Sequence, residues 1–146
     1  MIQRIQSIYL LLAGLAVLGL FATPFAGTEQ EVMTSTLFKD KVFDLADSPI
    51  MMGLFIGAGV LALIAIFLFK NRNLQANIGK LAILLLLGGI GTTAYFYMQD
   101  QPQLAEQKAQ IGFGMALPVL SAIFILLANK NIRKDDNLVK SMDRLR

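Results

Sequence analysis

Chemistry needs reactive side chains, and this sequence is short of them. Its 146 residues include no cysteine, histidine or tryptophan. Thiolate and imidazole metal sites are therefore excluded. So are nucleophiles activated by a histidine base, and a histidine pH switch. No glycine-rich phosphate loop, nucleophile motif or paired carboxylate set is present. What remains is a scatter of hydroxyls and acids. Thr92, Thr93 and Ser121 lie inside apolar stretches. They could line a path for a neutral solute, but each can instead bond to its own helix backbone, and helix packing is the favoured reading. Glu29, Glu31, Asp44 and Asp47 share one loop and could serve a membrane enzyme at an outer surface. Asp135, Asp136 and Asp143 could hold a cation only weakly and read as solvated surface. No catalytic residue, metal site or cofactor is expected.

The elements that position these residues follow from where charge is missing. Hydrophobic residues make up 55% of the chain and charged residues 16%, against roughly 25% charged in a typical soluble domain. The charges avoid four long stretches, at about residues 5–26, 50–69, 81–98 and 111–128. A hydrocarbon core about 30 Å thick needs about 20 apolar residues of helix. Lipid forces backbone hydrogen bonds to close within the segment, and these runs show no alternation that would suit a barrel. The expected fold is therefore an all-α membrane protein, one domain with four transmembrane helices in an antiparallel bundle. The first stretch is longer than a usual signal-peptide core and lacks a good cleavage site, so a retained anchor is expected. Ser48 and Pro49 form a helix start. In the loop between the first two spans, Val32–Phe38 and Lys41–Leu45 can pair as a short hairpin.

Orientation follows the excess of lysine and arginine in cytoplasmic loops. With both ends inside, the cytoplasmic face holds Arg4, Lys70, Arg72, Lys80 and the basic tail, and only Lys39, Lys41 and Lys108 fall outside. This places both ends of the chain in the cytoplasm. Phe21, Phe25, Tyr95, Phe96 and Tyr97 then mark the outer helix ends, and Phe67 and Phe69 an inner one. Basic residues beside spans have this topological explanation, so nucleic acid is not an expected partner.

Small residues are the positive signal. Gly53 and Gly57, Gly88 and Gly91, and Gly112 and Ala116 let helix backbones approach closely, within the bundle or against another subunit. Pro118 cannot donate to the Gly114 carbonyl, so a kink is expected there, eased by Gly114 and Ser121. In the tail, residues 129–146, Leu138, Met142 and Leu145 recur on one face of a short amphipathic cytoplasmic helix. Arg133, Lys134, Lys140, Arg144 and Arg146 would meet membrane lipid or a partner.

The tail run Leu127–Asp136 followed by Leu138–Arg146, the opening Met1–Leu12, and the loop Lys70–Gln75 resemble a Bacteroidota family of small four-span inner-membrane proteins, a domain of unknown function. The resemblance implies a four-helix membrane fold and brings no activity, cofactor or catalytic residue. The residues favour a non-enzymatic accessory or scaffold subunit of a larger membrane assembly, with lipids and other membrane subunits as partners and no small-molecule substrate. The alternative is a small transporter or channel for a neutral or apolar solute.

Overall fold

A computed structural model describes residues 5–33, 35–104 and 108–143, without the side chains at 103, 140, 142 and 143. Four α-helices dominate it: α1 (Ile5–Leu18), α2 (Pro49–Phe67), α3 (Arg72–Asp100) and α4 (Ala116–Asp143). Each helix packs on its sequence neighbours, and α1 closes the ring on α4. Neighbours run antiparallel. Phe55 meets Gly89 while Met51 meets Thr93, and Ser121 meets Ala13 while Leu117 meets Gly19. Pro49–Phe67, Arg72–Asp100 and the run Phe113–Val139 are long and apolar enough to cross a membrane. That points to a membrane protein.

The helix ends differ from the expected spans, each for a local reason. The first helical run ends at Phe21 after a 3-10 turn, five residues short of Ala26. The Ala22 N–H and the Thr23 hydroxyl both bond to the Gly19 carbonyl, at 3.1 and 2.9 Å, and Pro24 then stops the helix. α2 begins at Pro49, with the Ser48 hydroxyl accepting from the Met51 N–H at 3.5 Å. α3 starts at Arg72 rather than near 81, because Asn71 caps it by accepting from the Leu74 N–H at 3.1 Å. α4 starts later than expected, at Ala116, and does not stop at 128. It runs unbroken to Asp143, so the tail is the end of α4 and not a separate helix. At about 1.5 Å per residue, α3 and α4 are each over 40 Å long and outreach a 30 Å hydrocarbon core. Their projecting turns are tied together by the Arg72 guanidinium, which donates to the Asp135 carbonyl at 3.1 Å.

Among the described residues the expected pairing of 32–38 with 41–45 does not form. Instead β1 (Ala26–Gly27) is the centre of a small antiparallel sheet, between β2 (Val42–Phe43) and β3 (Gln110–Ile111). Ala26 pairs with Phe43 and with Ile111. The sheet joins the loop after α1 to the loop before α4, and long-range pairing of this kind leaves no local sequence signal. It also removes Phe25 from the aromatic girdle. Phe25, Phe38, Phe43 and Phe55 are all fully buried, with Phe25 5.4 Å from the Phe43 ring and 5.9 Å from the Phe55 ring. Phe21 and Tyr95, by contrast, are well exposed at the same end.

Candidate functional site

The structure gathers its polar groups at the two ends of the bundle. At the loop-bearing end, the last residue of α3 holds a whole turn in place. Asp100 is 2% exposed. One carboxylate oxygen accepts from the Ser35 hydroxyl and from the Leu37 N–H, the latter at 3.0 Å. The other accepts from the Thr36 N–H at 3.3 Å and the Thr36 hydroxyl at 3.2 Å. Ser35 in turn accepts from the N–H groups of Leu37 and Phe38, at 3.2 and 2.8 Å. A buried carboxylate is tolerated when its lone pairs are filled in this way. Asp100 therefore latches the 35–38 turn onto the bundle.

The acids considered for catalysis are partly spent on structure. Asp44 and Asp47 form a reciprocal capping box. Asp44 accepts from the Ala46 N–H, and Asp47 from the Asp44 N–H, both at 2.7 Å. Partial burial pushes the Asp47 carboxyl up to about 6, with the charges of Asp44 and Asp40 adding to the effect. No group of three or more acids that could hold a metal occurs among the described residues.

The opposite end carries a chain of amides. Gln75 donates to the Ala65 carbonyl in the last turn of α2 at 2.9 Å, and Gln6 donates to the Gln75 amide oxygen at 3.4 Å. Asn129 packs its amide over Gly79, with a Cβ at residue 79 falling 2.5 Å from the Asn129 oxygen. That oxygen and the Gln6 amide oxygen are buried without a hydrogen-bond partner.

The expected glycines separate into two kinds. Gly57 and Gly88 face inward, where a Cβ would lie 3.2 Å from Leu85 and 3.7 Å from Leu54. Gly53 and Gly91 face outward, with open space where a Cβ would be. Closer contacts come at glycines given less weight from sequence. A Cβ at Gly14 would lie 2.6 Å from Leu63, and one at Gly89 2.7 Å from the Phe55 ring. Gly112 and Ala116 do not share a helix face. Gly112 precedes the 3-10 turn at Phe113–Met115, and its backbone lies against Pro24. Gly114 does the same, donating its N–H to the Pro24 carbonyl at 3.0 Å. Ala116 is exposed in the first turn of α4.

The expected kink is absent for the same reason. Pro118 is the third residue of α4, where a missing N–H breaks no helical bond. Ser121 does not ease a bend; its hydroxyl donates across to the Ala13 carbonyl of α1 at 3.0 Å. Thr92 and Thr93 donate back to Gly88 and Gly89, each at 2.8 Å. In the tail, Arg133 and Lys134 are exposed on α4, facing a groove shared with α3. The Lys140 side chain and all of Arg144 and Arg146 lie outside the described residues.

Asp100, Gln6, Gln75 and Asn129 escaped the sequence reading. Gln6, Asp100 and Asn129 sit at the edges of apolar runs, where a polar residue ordinarily signals the water boundary, and Gln75 lies in the polar connection between two of them. No curated protein and no solved structure matches the chain. A family model described as a domain of unknown function matches residues 2–145, nearly the whole chain. This chain, a helical bundle with a latched loop cap, therefore belongs to the DUF4293 family.

Proposed function

We propose that the protein is a non-enzymatic accessory or scaffold subunit of a larger assembly in a bacterial inner membrane. It crosses the bilayer four times with both ends in the cytoplasm. The run Ile5–Phe21 is the fourth crossing: it is apolar and packs along α2 and α4. Lys70, Arg72, Lys80 and the basic residues of α4 then gather on the cytoplasmic side.

The observation that carries the reading is the pair of outward glycines. Gly53 and Gly91 lie on faces where Ile50, Ile56, Val60, Leu84 and Leu87 are exposed, yet nothing fills the space beside them. In lipid, association is driven by close backbone packing, and a glycine notch admits a neighbouring helix. Transport of a neutral solute draws less support, because Thr92, Thr93 and Ser121 direct their hydroxyls at backbone carbonyls.

Gentle detergent extraction of the tagged native protein, followed by crosslinking and mass spectrometry, tests this. Wild type should bring reproducible partners. Gly53→Leu and Gly91→Leu, by overpacking a close contact at about 1–3 kcal/mol, should cut their recovery about tenfold or more. A lone monomer under every mild condition would refute the reading.

A further inference from the structure

The end of the bundle carrying the C-terminal turns of α4 holds a groove of about 710 Å³ between α3 and α4. Lys80 of α3 and Lys130, Arg133 and Lys134 of α4 line it, and among the described residues no acidic side chain does. The neighbouring groove beneath Phe69 sets Asp136 beside Lys70 and Arg72, so its charge is offset. Four cations gathered without a carboxylate repel one another and call for an anion. Ile83 and Leu126 continue the wall toward the apolar part of the helices. Leu126 and Arg133 are about 10 Å apart along α4 at 1.5 Å per residue. One ligand would therefore meet an apolar wall and a cationic rim in succession.

We infer that this groove binds one anionic phospholipid. Its phosphodiester lies among Lys80, Lys130 and Arg133, and an acyl chain runs along Ile83 and Leu126. A soluble phosphodiester could meet the cations but would leave the apolar wall bare. Basic pockets between membrane helices recognise lipid headgroups in this manner. The inference rests on the bundle lying in a membrane and not on any protein partner, so a failure to recover partners leaves it standing.

The test uses the full chain, delipidated in neutral detergent and titrated with phosphatidylglycerol and phosphatidylcholine. Occupancy is read by native mass spectrometry, and the thermal midpoint of each variant is recorded. Phosphatidylglycerol should bind about tenfold or more tightly than phosphatidylcholine, since each basic residue contributes about fivefold in affinity. Lys130→Gln and Arg133→Gln change exposed side chains and should each weaken it by about that factor. Lys39→Gln, at the other end, should have no effect. Equal binding of phosphatidylcholine, or indifference to Arg133→Gln, would overturn the site. Displacement by soluble glycerophosphoglycerol would show a free phosphodiester ligand and overturn the lipid assignment.

Discussion

Replacing Asp100 with alanine is expected to free the 35–38 turn while leaving the four helices assembled. The carboxylate receives the Ser35 hydroxyl, the N–H and hydroxyl of Thr36, and the Leu37 N–H. Hydrogen bonds to a charged group contribute about 1.5–3 kcal/mol each, and their sum is reduced because the freed groups can hydrate once the turn lifts. A net local loss of roughly 3 kcal/mol shifts the opening equilibrium by about a hundredfold. Lys39 and Lys41 are exposed in the adjoining loop and offer trypsin sites. Cleavage there should accelerate by about that factor when it tracks the open population. Asp100→Asn keeps the shape but loses charge-assisted bonds, so it should fall between. Unchanged cleavage in Asp100→Ala would show that other contacts hold the turn.

Phe25→Ala should act on the whole protein. The ring is fully buried where the cap joins α2, packed between Phe43 and Phe55. The flanking backbone is equally committed: the Phe25 N–H donates to the Phe43 carbonyl and the Phe25 carbonyl accepts from the Gly112 N–H, both at 2.8 Å. The cavity is therefore difficult to collapse, because closing it would move β1 away from both partner strands. Large-to-small changes of this type cost about 3–5 kcal/mol. Denaturant unfolding in mild detergent should show that loss for Phe25→Ala and less than about half of it for Phe25→Leu. A loss below about 1 kcal/mol would mean that the cap does not stabilise the bundle.

The helices were legible because lipid imposes a one-dimensional rule: a charge-free run long enough to cross must be helical. The starts at Ser48–Pro49 were legible too, since a capping hydroxyl and a first-turn proline act within one turn. What escaped was set by contacts distant in sequence. The pairing of Ala26 with both Phe43 and Ile111 depends on a loop closing over most of the chain. Gly112 and Gly114 read as helix-packing and kink residues because their true neighbour, the Pro24 backbone, lies far away in sequence. Asp100 lies just past the expected third span with no local signal for its role, and only the fold shows that the 35–38 turn descends onto it. Pro118 misled in a different way: its effect depends on whether the helix starts before or just behind it, and apolar composition alone does not fix that start.

The candidate site shows the same division. The basic tail was visible as composition, but its pairing with Lys80 requires α4 to continue straight past the membrane edge beside α3. The outward and inward glycines could not be separated by spacing, since Gly53 and Gly57 are one turn apart and yet meet different surroundings.

The absence of native cysteine makes one experiment direct. Lys39→Cys and Asn137→Cys place single thiols at exposed positions on opposite ends of the bundle. In intact cells with a permeable outer envelope, a membrane-impermeant maleimide should label Lys39→Cys at once and Asn137→Cys only after the inner membrane is opened. Equal labelling of both from outside, or recovery of the chain in the detergent-free soluble fraction, would contradict a bundle that crosses the bilayer with its basic end inside.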